Sequence, residues 1–164
     1  MYDFEQRRRR KPRKPVLITE KAADLLARRR LSRGELQRKL LQRKYDEAEI
    51  EELLDRYEDL GFLNDKELAF DRARYILEAK PVSRKYIIYE LRRALISLDI
   101  AEAAAEAAYT GFTEEEIAVK AFKREFNKTK DKEKLWRRMQ RLGFASELLR
   151  DIFGRYFSDD GMID

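Results

Sequence analysis

The chain has 164 residues, 42% of them charged and 43% hydrophobic, a balance that supports one elongated domain or several small packed units rather than a single thick core. It has no cysteine and no histidine, which excludes disulfides, thiolate nucleophiles, Cys/His zinc sites and imidazole acid–base chemistry. No apolar run approaches the roughly 18 residues that cross a bilayer, and "VLI" at 16–18 is shorter than the ~7 to 15 residues of a signal-peptide core, so the expectation is a soluble, cytoplasmic protein without membrane contact.

Residues 1–15 come first, with seven basic side chains (Arg7 to Arg10, Lys11, Arg13 and Lys14) against Asp3 and Glu5. The rest of the chain holds 30 basic and 30 acidic groups, so the net charge of +5 and the pI near 9.3 originate in this arm. Like charges together with Pro12 and Pro15 predict disorder; a solvated tail and a non-specific phosphate contact both fit it.

Beyond the arm the pattern is helical throughout: the predicted elements are 19–30, 33–44, 47–60, 65–79, 84–96, 99–109, 114–127, 131–142 and 145–157. Ser32 with Glu35, Asp46 with Glu49, Asn64 with Glu67 and Thr113 with Glu116 each place a side-chain acceptor three residues ahead of a carboxylate, the spacing of a capping box. Gly61 and Gly143, each within "LGF", supply the left-handed residue that ends a helix, and Pro81 separates the fourth element from the fifth.

The nine elements repeat in threes. "SRGELQRKLLQRKY" (32–45), "SRKYIIYELRRALI" (83–96) and "DKEKLWRRMQRLGF" (131–144) align with Leu36, Ile87 and Leu135 in one apolar slot and Leu40, Leu91 and Met139 in the next. In the third elements Ile50, Leu53, Leu54 and Tyr57 match Leu149, Ile152, Phe153 and Tyr156, while the middle copy has Ile100 and the alanine-rich "AEAAAEAAY". The fold class is therefore all-α: an elongated, curved array of three tandem three-helix repeats, with units at 16–63, 64–112 and 113–157, the arm at 1–15 and an acidic tail at 158–164.

Charge alternates along the repeat: nine basic against three acidic groups over 20–45, two against ten over 46–67, seven against three over 68–95, none against six over 96–118 and twelve against five over 119–157. Units stacked in register would set a basic stripe beside an acidic one, although helix-terminus bias accounts for acids such as Asp46, Glu47 and Glu49. Glu35 with Lys39 and Glu133 with Arg137 have the spacing of helical ion pairs. No glycine-rich phosphate loop, nucleophile turn or calcium-loop spacing occurs, and Tyr86, Tyr89 and Trp136 are read as packing or interface residues, so no enzyme activity, catalytic residue, metal or cofactor is expected.

The stretches "LLARRRLSRGELQRKLLQRKYDEAEIEELLDRYEDLGFLND" (25–65), "YIIYELRRALI" and "KEKLWRRMQRLGFASELLRDIF" (132–153) resemble the bacterial RecX family of regulatory proteins over about residues 19–157. The middle unit departs from the family pattern, with Val82-Ser83 in place of Gly-Pro and Leu95 where a glycine precedes the isoleucine, here Ile96. The resemblance implies a bent helical array that lodges in the groove of the RecA recombinase filament on DNA, limits filament growth, and lowers ATP hydrolysis, strand exchange and co-protease action in the SOS response. On that reading the partners are the RecA filament and single- or double-stranded DNA, bound weakly or within the filament, by a monomer. The candidate contact residues are Arg28, Arg29, Arg30, Arg33, Arg38, Arg43, Arg72, Arg74, Arg84, Arg92, Arg93, Arg137, Arg138 and Arg141, each of which is otherwise a solvated side chain. A general nucleic-acid-binding helical repeat, which needs the basic face but no protein partner, is the alternative.

Overall fold

The first helix, α1 (Ile18–Arg28), opens a series of nine in a computed structural model that describes residues 16–157. The disordered arm expected at 1–15 and the acidic tail expected at 158–164 lie outside the described residues. The others are α2 (Arg33–Leu41), α3 (Glu47–Asp59), α4 (Asp65–Ala79), α5 (Arg84–Arg93), α6 (Leu98–Ala108), α7 (Glu114–Phe126), α8 (Lys132–Arg141) and α9 (Ser146–Phe157), with no strand among the described residues.

Helix starts follow the side-chain acceptors. Ser32 with Glu35 and Thr113 with Glu116 close full capping boxes, whereas Asp46 and Asn64 cap from one side only. Ser83 and Asp131 cap α5 and α8 in the same way. The second helix of each triplet stops by one device: Lys44, Leu95 and Gly143 occupy matching positions and all have positive φ, at 63°, 59° and 88°. The chain then turns so that the Tyr45 and Ile96 N–H groups reach back to the Leu40 and Leu91 carbonyls. The sequence pattern had continued these helices to 44 and 96; the left-handed residue ends them at Leu41 and Arg93. For Leu95 that conformation costs about 1 to 2 kcal/mol relative to a right-handed one.

The helices of each triplet pack against one another: α1, α2 and α3; α4, α5 and α6; α7, α8 and α9. In the first, Ala22, Leu25, Leu36, Leu40, Ile50, Leu54 and Leu63 form a core of their own. The second and third triplets share one continuous core, running from Ala69 and Ile87 through Phe122 to Met139 and Phe153. In α6 the alanines Ala101, Ala104 and Ala105 are buried, so backbones come close, and Tyr109 supplies the missing bulk: it is buried and its hydroxyl donates to the Val82 carbonyl. Each buried Leu, Ile or Phe in these cores contributes about 1.5 to 3 kcal/mol.

The starts of α2 and α5 abut the ends of α5 and α8. The Ser32 hydroxyl donates to the Ala94 carbonyl, and Gly34 lies so near Leu95 that a Cβ there would stand 2.7 Å from the leucine Cβ. One unit along, the Ser83 N–H donates to the Leu142 carbonyl at 3.0 Å, and a Cβ on Gly143 would stand 2.2 Å from the Ser83 hydroxyl oxygen. Gly143 therefore meets two demands that no side chain satisfies, left-handed backbone and close approach.

Candidate nucleic-acid and partner interface

Arg33 and Arg84 are matching residues at the first position of α2 and α5, and both are held inside the fold. The Arg33 guanidinium donates to Glu51, Asp55 and Glu58 of α3, each at 2.7 Å, while its N–H donates to Asp65, the first residue of α4, at 2.8 Å. Arg84 donates to Glu106 of α6 and Glu114 of α7, both at 2.8 Å, lies 4.0 Å over the Tyr109 ring, and its N–H donates to Glu114 at 3.3 Å. A basic second helix thus meets its acidic third helix directly. Part of the alternation in charge sign is internal pairing rather than two separate stripes.

Glu35 is the most connected carboxylate and is 5% exposed. It accepts from Arg29 at 2.8 Å, from Arg72 of α4 at 3.1 Å and from the Ser32 N–H at 3.2 Å. Burial pushes its pKa up, but these three donors outweigh that and leave it below the ordinary carboxylate value. The expected pairing of Glu35 with Lys39 is not formed, because closing the capping box turns the carboxylate inward, away from the helix surface; Glu133 does pair with Arg137, at 3.5 Å. Asp65 moves the other way: burial, with Glu58 and Glu35 nearby, raises it above the usual range despite the Arg33 N–H and charge. The Tyr109 phenol is raised by burial and by Glu114, so it stays protonated and donates, which does not suit a base.

The remaining candidates divide by what they touch. Arg30 pairs with Asp71 at 2.8 Å and Glu67 at 3.4 Å, Arg74 with Asp71 at 3.0 Å and Arg138 with the buried Glu125 at 2.9 Å. Arg93 and Arg137 make only exposed pairs within their own helices, which contribute little. Arg43 and Arg92 donate to nearby carbonyls, of Lys39 and Ile96. Arg28, Arg38 and Arg141 are exposed and make no ion pair or hydrogen bond among the described residues. The fold also gathers Lys80, Arg124 and Lys128 beside Arg138 and Arg141, three cations absent from the sequence candidates. The basic run of residues 123–130 is the signal for Arg124 and Lys128, and only the turn after α7 brings it to α8; Lys80, after α4, lies outside that run.

Among the described residues no group of His, Cys, Asp and Glu could hold a metal ion, and no helix is long and apolar enough to cross a membrane. The arrangement is one of repeated helix ends with paired and unpaired cations, suited to binding.

Residues 19–56 match the family model for the first three-helix domain of RecX. A curated relative from Syntrophotalea carbinolica, regulatory protein RecX, is 29% identical over 146 residues, covering 85% of this chain and 93% of the relative. A crystal structure of regulatory protein RecX has the same fold, with a TM-score of 0.61 at 21% identity over 82% of this chain and 69% of the other.

Proposed function

Because the chain belongs to the RecX family, we propose that it binds the RecA recombinase and its DNA filament and restrains filament extension, ATP hydrolysis, strand exchange and SOS co-protease action, thereby modulating recombination and repair. It does so in the cytoplasm, as a monomeric, non-catalytic array whose units are residues 16–63, 64–112 and 113–157. The observation that carries this reading is the exposed arginine that recurs on or beside every second helix. Arg38 of α2, Arg92 of α5 and Arg141 of α8 are each exposed and engage no carboxylate among the described residues. The three stand at different positions along their helices, but a repeat that returns an exposed cation to the second helix of each unit suits a partner that is itself periodic, as a recombinase filament is.

The test is RecA-catalysed ATP hydrolysis on single-stranded DNA, titrated with the protein. Substoichiometric amounts should slow it, and unchanged hydrolysis at saturating protein refutes the reading. The same recurrent arginines also fit a general nucleic-acid binder. That reading requires an affinity for bare DNA that falls steeply with salt, and a salt-insensitive affinity removes it.

A further inference from the structure

The repeat forms a cleft at each junction between units, and the two clefts differ in charge. The one between the first and second triplets, about 320 Å³, is lined by Arg72, Arg93, Glu35 and Glu90, two cations against two carboxylates. The one between the second and third triplets, about 560 Å³, is built from matching positions. The N-caps Asn64 and Thr113 align α4 with α7, and the buried pairs Ile87/Leu91 and Leu135/Met139 align α5 with α8. Arg141 then stands where Arg93 does, Arg124 replaces Tyr75, Arg138 replaces Glu90, and Tyr86 takes the place of Glu35. With Lys80 and Lys128 the second cleft holds five cations against one carboxylate, Glu125, an excess of four.

Four of the five cations are held in place. Lys80 Nζ donates to the Tyr86 hydroxyl at 2.8 Å, Arg124 donates to the Ala79 carbonyl at 3.1 Å, and Lys128 and Arg138 share the two Glu125 oxygens. Lys80, Arg124 and Arg141 have no carboxylate within ion-pair distance among the described residues. Like charges fixed in a concavity focus positive potential into it, and the planar forks of Arg124, Arg138 and Arg141 match the oxygens of a phosphate better than a point charge does. A peptide carboxylate brings one charge on two oxygens, and its chain brings apolar side chains for which Pro81, Ala121 and Leu142 offer little lining. A phosphodiester strand brings a charge at every residue.

We propose that the cleft between the second and third units is a phosphate site that takes the backbone of a nucleic-acid strand; the choice of nucleic acid as the polyanion rests on the DNA contact in the function proposed above. The experiment is fluorescence anisotropy of a labelled oligothymidylate titrated with the full chain from about 50 to 200 mM salt. Arg141→Gln and Arg124→Gln should each weaken binding about three- to tenfold and make the salt dependence shallower by about 0.7 in log–log slope, the signature of one lost phosphate contact on a single strand. Lys66→Gln, which removes the same charge from an exposed position outside both clefts, should change neither. All three side chains are exposed, and an unchanged helical signal and melting temperature verify the fold.

Equal losses in Lys66→Gln and Arg141→Gln, a loss without a change of slope, or no binding by the unaltered protein at low salt would overturn the assignment. Competition by polyglutamate as effective as that by oligothymidylate of equal charge would overturn the choice of nucleic acid. RecA hydrolysis is followed in parallel. Oligonucleotide binding through the cleft without inhibition leaves the site standing and removes the proposed function, whereas inhibition without such binding does the reverse.

Discussion

Replacing Glu35 by Gln tests how the first and second units are joined. The carboxylate is buried and bonded to Arg29, Arg72 and the Ser32 N–H, so Gln keeps the shape and one acceptor but loses the charge that two guanidinium groups address. A charge-assisted hydrogen bond contributes about 1.5 to 3 kcal/mol when shielded. The Arg29 side chain is 50% exposed and the Arg72 side chain 26%, so solvent screening brings the joint loss to about 2 kcal/mol. For a chain of this size that lowers the melting temperature by about 4 to 8 °C. Urea unfolding at neutral pH measures it, with Glu133→Gln, whose side chain is 88% exposed, as a control that should change stability by less than about 0.5 kcal/mol.

The pH dependence gives an independent check. The folded carboxyl titrates below its ordinary value of 4.5, so folding favours the ionised form. Its stabilisation is complete above that value and is lost as the pH falls through the lower folded pKa. The gap between the parent protein and Glu35→Gln should therefore be full at pH 7 and close in acid. A gap below about 0.5 kcal/mol at neutral pH, or one that stays constant down to about pH 3, refutes the reasoning.

Leu40→Asp and Leu91→Asp each place a charge in a buried slot, but in different cores. By circular dichroism the first should remove the helical signal of α1 to α3 while the remainder melts near its original temperature; the second should abolish cooperative melting of α4 to α9. Gly34→Ala inserts a Cβ against Leu95 and should destabilise by about 1 to 3 kcal/mol in urea unfolding. Adding Leu95→Gly, which relieves both the contact and the left-handed strain, should recover at least half of that loss, and strict additivity of the two changes would show that the clash is not the cause. Arg33→Gln removes the donor to Glu51, Asp55 and Glu58 and should lower stability more at low than at high salt, because the three acids then repel one another unscreened.

Much of this architecture was legible locally. Ser32, Asn64 and Thr113 announce helix starts through side chains that reach only two or three residues, and Gly61 and Gly143 announce stops through a conformation glycine adopts freely. The apolar slots at Leu36, Ile87 and Leu135 return with the repeat, and all three are fully buried. What was not legible depends on contacts far along the chain. The immediate neighbours of Leu95 do not mark it as left-handed, although Gly143 at the matching position and the glycine of the family pattern point that way; its packing on Gly34 and the turn before Ile96 fix it so. Glu35 reads as a surface residue paired with Lys39 until Arg72, 37 residues away, is brought against it. Charge alone marks the candidate arginines in the sequence, and charge does not separate Arg33, clamped by three acids, from Arg141, which meets none among the described residues. Lys80 becomes a neighbour of Arg124 and Lys128 only through the stacking of units.

The two cores give the molecule unequal stiffness along its length. From α4 to α9 apolar side chains run without a break, so bending between the second and third units would expose hydrocarbon to water, at about 25 cal/mol for each Å². Between the first and second units the buried clusters are separate, and the links include the Ser32 hydroxyl, the Glu35 pair with Arg72, the Arg30 pair with Asp71, the Arg33 N–H to Asp65 and the approach of Gly34 to Leu95. Water can substitute for such bonds at about 0.5 to 1.5 kcal/mol each. The compliance of the array is therefore concentrated at one end: α1 to α3 can change their angle at modest cost while the rest keeps its form. A body of that kind reaches a winding surface with a fixed platform and one adjustable segment, and raising the ionic strength loosens the adjustable segment first.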